Sequence, residues 1–426
     1  MNKMNGNETS GTECNEQYQK EPRRQKYLGE MGLIALIAFL SAFVPLSTDL
    51  YLPALPGMAL YFNVSADLIN LTLILFFIFF AIGMLFWGPL SDKYGRRPVL
   101  LIGLSVYTAA SFACAGSWGI YHLIAFRILQ AIGGSAAFAV ATAMIKDVYD
   151  SKRREAILAM VQSMVLVAPA AAPVLGALLL KFMSWRGEFL ALAFIGLLAL
   201  AGSVALQETI DKRNTGSILQ TLGGLCTVAR NPGFSSLLVL FSLPMVSAMA
   251  FIASSSYIYI NGFRLSAQVY SYYFAINAIG MIFGPMLYMR VSRRYPRRSI
   301  IIACFAIVSA SGLLVSFVGS FLPWMLAIVL LPATICGSGV RIPGTNLMLE
   351  QQREDTGSAA SLLNCFATFL GSIGMIIISL NWSNTILVLG IMNILVGLLG
   401  LILWRPISQK PYVLQVPERY IAATSR

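Results

Sequence analysis

The chain has 426 residues, 57% of them hydrophobic and only 11% charged, with a formal net charge of +12 and a mean hydropathy of +0.74. Soluble domains carry about 25% charged residues, so this composition excludes a soluble globular protein and places the chain in the membrane class. Many apolar runs reach the roughly 20 residues a helix needs to cross the hydrocarbon core. Their unbroken apolarity excludes an alternating β-barrel, and lipid demands that such segments be helical.

In chain order, residues 1–30 are polar and of mixed charge and read as an N-terminal tail. No apolar stretch precedes Met31, so a cleavable leader is not expected, and the first span would serve as an uncleaved signal. Spans are expected near 31–54, 68–90, 98–117, 120–144, 156–180, 187–207, 234–260, 270–290, 299–320, 322–347, 357–380 and 384–404. The longest connection, 208–233, follows the sixth span and divides the chain into six-helix halves at 31–207 and 234–404, with a tail at 405–426. Six cysteines show no CxxC or paired spacing, which argues against a metal or disulfide framework.

Twelve spans put both ends of the chain on one side. With that side cytoplasmic, 25 of the 30 Lys and Arg fall in tails and cytoplasmic loops, against Lys181, Arg186 and Arg264 opposite. The positive-inside rule then predicts a cytoplasmic-membrane protein with both termini cytoplasmic. The positive charge is topological and needs no nucleic-acid partner.

The halves echo each other. The loop after span 2 runs from Gly88-Pro89 to Tyr94-Gly95-Arg96-Arg97, and the loop after span 8 from Gly284-Pro285 to Tyr295-Pro296-Arg297-Arg298. Parallel six-helix halves put a substrate cavity at their interface, near the membrane midplane.

Gly88-Pro-Leu-Ser-Asp-Lys-Tyr-Gly-Arg-Arg-Pro98 resembles the signature loop of the major facilitator superfamily. Asp49-Leu-Tyr-Leu-Pro-Ala-Leu-Pro56 and Arg127-Ile-Leu-Gln-Ala-Ile-Gly-Gly-Ser135 resemble two signatures of its drug:proton antiporters. Pro169-Ala-Ala-Ala-Pro-Val-Leu-Gly176 resembles the antiporter motif, departing from it at Ala177, where the motif usually carries more glycine. Together they are similar to the bicyclomycin/chloramphenicol resistance (Bcr/CflA) group of multidrug efflux carriers. The resemblance implies an all-α membrane protein with the major facilitator fold, twelve transmembrane helices in two halves related by pseudo-two-fold symmetry. It also implies a cytoplasmic latch built from Gly88, Asp92, Gly95, Arg96 and Arg97; a basic anchoring loop would explain the arginines alone.

Two in-span charges carry the chemistry. Asp49 is the only carboxylate expected inside a span, about 27 Å from the cytoplasmic edge at 1.5 Å per residue. A low-dielectric site favours the neutral acid, so a carboxylate poised there can take a proton on one side and release it on the other. An interfacial Asp capping the span's outer end is the alternative. Arg127 falls at the same depth, about 26 Å. A buried guanidinium cannot lose its proton and needs a partner, for which Asp49 is the in-span candidate; snorkelling to the outer interface is the alternative. Arg341, about 12 Å from the cytoplasmic end of span 10, is close enough to snorkel.

In span 5, Pro169 and Pro173 remove two backbone donors and Gly176 leaves room for a neighbour, predicting a kinked, closely packed helix. In span 2, Gly88 would permit close helix approach and Pro89 would end or bend the helix. Tyr51, Gln130, Asn277 and Asn364 are candidate cavity residues, although helix–helix hydrogen bonds explain such groups equally well. Tyr257, Tyr259, Tyr270, Tyr272 and Tyr273 read as an interfacial aromatic belt rather than a drug cage. Gly133, Gly134, Gly371 and Gly374 suit helix contacts.

No nucleotide-binding loop occurs, so a proton gradient is the expected energy source, with no cofactor and no metal. The expectation is a monomeric, non-enzymatic carrier in the bilayer that moves small amphipathic drugs against protons. A proton-coupled carrier of one metabolite on the same fold is the alternative. A membrane-embedded enzyme is more remote, because catalytic side chains in the spans are too sparse.

Overall fold

The computed structural model describes Gln25 and residues 27–149, 151–210, 218–352 and 356–414. The tails, 1–24 and 415–426, and part of the connection, 211–217, lie outside the described residues. Regular structure among the described residues is helical throughout.

Twelve long helices appear in the expected order. The first half comprises Gly29–Phe62, Ala66–Tyr94, Arg96–Ala115, Ile120–Val148, Ser151–Leu179 and Trp185–Ala205. The second comprises Pro232–Gly262, Ala267–Val291, Arg297–Val318, Pro323–Glu350, Thr356–Ser379 and Thr385–Ile407. Eleven are long and apolar enough to cross a bilayer, and the fifth adds the apolar stretch Val167–Leu179. Several starts carry the side-chain caps that satisfy orphan backbone donors. Asn231 accepts from the Gly233 and Phe234 amides, Ser266 from Val269 and Asn384 from Leu387. The connection between the halves contains a helix of its own, Ile218–Ala229.

Spans 1 and 2 run beyond the ends that the sequence predicts for them. Span 1 does not end near Ala54 but breaks and resumes. Helix Phe43–Asp49 stops, a 3₁₀ turn covers Leu52–Ala54, and helix Leu55–Phe62 follows. Pro53 has no N–H to offer the Asp49 carbonyl, and Pro56 none to offer Leu52, so the α-helical ladder fails at this point. Span 2 neither ends at Pro89 nor stops near it, but continues to Tyr94. One proline removes one ladder bond, and packing holds the rest: the Trp87 indole N–H donates to the Ile132 carbonyl on span 4 at 2.7 Å.

The apolar cores show which end is closed. Away from the termini, one cluster joins Tyr51, Leu52, Leu73 and Phe189 of the first half to Phe251, Tyr259, Tyr270 and Met375 of the second. Hydrogen bonds cross the same seam, Asn70 Nδ2 to Ser379 Oγ and Gln268 Nε2 to the Ala177 carbonyl, both at 2.9 Å. At the end bearing the termini each half keeps its own core, one around Leu100, Tyr107 and Val140 and the other around Phe234, Phe241 and Trp404. Between them lies an open cleft of about 420 Å³, walled by Gly88, Pro89 and Asp92 on one side and by Ser361 and Asn364 on the other. A bundle sealed at one end and cleft at the other opens its interior to the side of the termini.

Candidate functional site

The break in span 1 positions the first site. Asp49 is the last residue of its helical segment and is 4% exposed. The Thr48 hydroxyl lies 2.9 Å from Asp49 Oδ1 and 2.9 Å from the Val44 carbonyl. Because the helix runs on to Phe62, Asp49 sits well inside the first helical span, not at its outer end. The capping alternative therefore falls away.

Arg127 is completely buried. Its Nη1 donates to the Gln130 amide oxygen at 2.6 Å and to the Ser47 carbonyl at 3.0 Å. Nε reaches the Thr72 carbonyl and Nη2 the Tyr51 hydroxyl, both at 3.4 Å. The guanidinium carbon stands 4.2 Å from the Phe76 ring centre and 4.6 Å from that of Tyr51. Ring faces attract a cation, and carbonyl oxygens replace its hydration shell. Burial excludes snorkelling. Pairing with Asp49 is also corrected: among the described residues no ion pair joins them. Neutral oxygens and π-faces hold the charge, and the carboxyl of Asp49 is left without a cation.

The other cavity candidates divide. Tyr51 and Gln130 are fully buried in the cage around Arg127, with Gln130 passing a hydrogen bond to Ser111 at 2.7 Å. They build the site and do not line a cavity, which corrects the expectation for both. Asn277 lines a cavity in the second half, and Asn364 lines the cleft between the halves. The aromatic-belt reading fails for Tyr259 and Tyr270, both fully buried, and holds in exposure only for Tyr272. Tyr259 stacks on Tyr273 with ring centres 5.2 Å apart and forms part of the apolar seal.

Span 5 runs as one helix through Pro169 and Pro173. Its close packing comes from Gly176. A Cβ built there would overlap the Leu50 carbonyl oxygen and stand 2.8 Å from the Leu50 carbonyl carbon. Glycine at 176 thus lets span 5 lie directly on the backbone next to Asp49. Gly133 likewise faces the Tyr107 backbone, and Gly374 the Val246 carbonyl.

The same Gly176 position exposes a residue that the sequence reading missed. Glu188 Oε1 lies 3.4 Å from where a Gly176 Cβ would stand. Glu188 is completely buried, and neither carboxyl oxygen has a hydrogen-bond partner; the Trp185 indole N–H one turn earlier is likewise unpaired. Asp49 is therefore not the only carboxylate inside a span. The sequence places Glu188 near a span end, where an acid is ordinarily solvated. Only the packing of spans 1, 5 and 6 encloses it.

At the end bearing the termini, the expected loop after span 2 shrinks to Gly95, and the helix ends on either side form a charge network. Arg96 is 5% exposed; it pairs with Asp92, and its Nε donates to Asp147 Oδ2 at 2.7 Å. Gly95 has φ +107°, a region that favours glycine, and a Cβ there would also meet the Glu208 carboxylate. Glu208 in turn accepts from the Arg96 amide at 2.9 Å and from the Arg97 amide at 3.3 Å. The Arg97 guanidinium donates to the Val204 carbonyl at 2.8 Å. All these partners belong to the first half or the start of the connection. In this state the loop ties its own half together. Gly88 permits no close approach here, since a Cβ would meet nothing within 4 Å.

This geometry can be set beside known proteins. Residues 37–375 match the Major Facilitator Superfamily. The chain belongs to that superfamily. The carrier is 31% identical over 369 residues to the Chloramphenicol resistance protein of Pseudomonas aeruginosa, covering 83% of this chain and 86% of that one. It is 29% identical over 366 residues to the Uncharacterized MFS-type transporter YdgK of Bacillus subtilis (strain 168), covering 84% and 90%. These relatives agree with the resemblance to the bicyclomycin/chloramphenicol resistance group. A solved structure of a mutant of the nucleoside transporter NupG superposes with a TM-score of 0.68 over 88% of the carrier and 98% of that chain. At 11% identity that likeness shows the fold alone.

Proposed function

We propose that the carrier expels amphipathic compounds of the chloramphenicol or bicyclomycin kind across the cytoplasmic membrane in exchange for protons, with both termini cytoplasmic. The observation that carries this reading is a buried carboxyl group, Asp49, with no cation beside it and a hydroxyl that serves either charge state. When Asp49 is ionised, the Thr48 hydroxyl donates to it. When Asp49 is protonated, Thr48 accepts from the acid and donates to the Val44 carbonyl. Both forms are hydrogen-bonded, so this buried position can hold the group in either charge state.

The position of Asp49 supports coupling. It sits at the ladder break in span 1, flanked by Leu50, against which Gly176 of span 5 packs, and by Tyr51, which joins the apolar seal between the halves. A change of charge there acts on the seam that opening towards the other side must break. The Asp92–Arg96–Asp147 network at the opposite end holds the cleft-lining ends of spans 2 and 4 in register. In the opposite state these charges would exchange partners across the halves. A cavity within the spans that carries few charges suits amphipathic solutes better than sugars, which need many hydrogen bonds.

The test is an imposed pH gradient across everted vesicles challenged with chloramphenicol, bicyclomycin and cationic dyes. Asp49→Asn should abolish uphill movement while the protein still inserts; retained uphill efflux would sink the proposal. Absence of pH-driven movement for every drug class in the unaltered carrier would favour a metabolite carrier on the same fold.

A further inference from the structure

The second half holds a charge that the antiport reading does not use. Arg341 lies on span 10, nine residues before its end at Glu350, hence about 13 Å along the axis from that end. Its side chain is half-buried. It lines a partly open cavity between spans 7, 8, 9, 10 and 12. Among the described residues Arg341 has no ion pair and no hydrogen bond, unlike Arg127 with its full set of acceptors. The span 10 helix is interrupted here, since Pro343 has no N–H for the Gly339 carbonyl and the helix divides at Val340.

The rest of the lining has a definite chemistry. Phe251 and Phe274 are stacked, with ring centres 5.7 Å apart and planes at 12°, and form one apolar wall. Met245 and Met281 supply polarizable, adaptable surface beside them. Asn277 and Thr334 face the same space and bond only weakly to each other, at 3.4 Å. A guanidinium cannot shed its proton, so leaving one without an acceptor inside a span is costly. A ligand carrying an anion removes that cost. The planar fork of arginine matches a carboxylate through two parallel hydrogen bonds, stronger than bonds between neutral groups.

We propose that this cavity binds amphipathic monoanions, an aromatic or aliphatic body with a single carboxylate. The carboxylate sits on Arg341, and the body lies along Phe251, Phe274 and the two methionines. The proposal goes beyond the carrier reading by adding an anionic class to the neutral compounds named there, and it requires no particular energy coupling. Neutral compounds of the same shape enter the same space but leave the guanidinium unanswered, so they bind more weakly.

The test uses an isosteric pair, naphthoate and naphthamide, with the full-length carrier in lipid nanodiscs near neutral pH and binding read by scintillation proximity. Naphthoate should bind about tenfold or more tightly than naphthamide, the margin that one charge-assisted contact supplies. Arg341→Gln should erase that preference, and Arg341→Lys should retain part of it without the bidentate geometry. Equal binding of the two probes, a preference surviving in Arg341→Gln, or binding of neither probe overturns the proposal. Asp49→Asn separates the two readings, because it should lose pH-driven transport yet keep the acid-over-amide preference. If pH-driven transport fails in the unaltered carrier while the preference and its loss in Arg341→Gln are observed, only the antiport reading falls.

Discussion

Two glycines from the same family motifs receive opposite predictions. At Gly176 a methyl group would overlap the Leu50 carbonyl oxygen and lie 2.8 Å from its carbon, both backbone atoms of the broken segment in span 1. Backbone cannot rotate aside as a side chain can, so Gly176→Ala must push spans 1 and 5 apart by roughly an ångström. Overpacking of this kind costs about 1–3 kcal/mol. At Gly88 a methyl group meets nothing within 4 Å, and the residue lies inside a helix, where alanine is favoured over glycine by up to about 1 kcal/mol. The assay is thermal stability of both purified variants in detergent, followed by fluorescence-detected size exclusion. Gly176→Ala should melt several degrees lower, while Gly88→Ala should match or exceed the parent. Equal damage from both, or a silent Gly176→Ala, would refute the reasoning from close approach. If Gly88→Ala is stable but transports poorly, its glycine is required in the opposite state, where the cleft closes.

Other consequences follow from the buried charges. Arg127→Lys keeps the charge but loses the planar fork that reaches Ser47, Gln130, Thr72 and Tyr51 at once, and should cost about 2–4 kcal/mol, read as a lowered melting temperature. Glu188→Leu removes two unsatisfied oxygens from a packed site and should leave stability unchanged or improved, since apolar replacement of unpaired buried groups is nearly neutral or favourable. A marked loss of melting temperature in Glu188→Leu would show that an acceptor or donor is needed there. Asp147→Ala strips Arg96 of one of its two carboxylates and should cost about 1–3 kcal/mol, with a larger loss when Asp92 is removed as well, measured by the same melting assay.

Much of the architecture follows from residue types taken one at a time. An apolar run of sufficient length has one stable form in lipid, so the number and order of the spans could be read from the chain. Asp49 and Arg127 stood out because charge is so rare between the ends of the spans, whereas the loop expected over residues 88–98 narrows to Gly95 alone, between a helix ending at Tyr94 and one starting at Arg96. Local rules also explain the break at Pro53 and Pro56 once the span is known to continue past them.

The partners could not be read in this way. Whether a side chain meets a carbonyl, a ring, an acid or a cavity depends on the rotation and tilt of its helix, and these are set by packing against neighbours distant in the chain. Equal depth suggested that Arg127 would pair with Asp49, yet the rotation of span 4 turns the guanidinium to Ser47, Gln130 and the ring of Phe76. Glu188 looked like a solvated end until spans 1 and 5 closed over it. Arg341 looked able to snorkel, and the structure sets it beside a cavity. Sequence alone determined that this protein spans a membrane in two halves and which charges are anomalous. The tertiary structure decided what each charge faces, because hydrophobicity records the tendency to leave water and says nothing of the direction in which a buried group points.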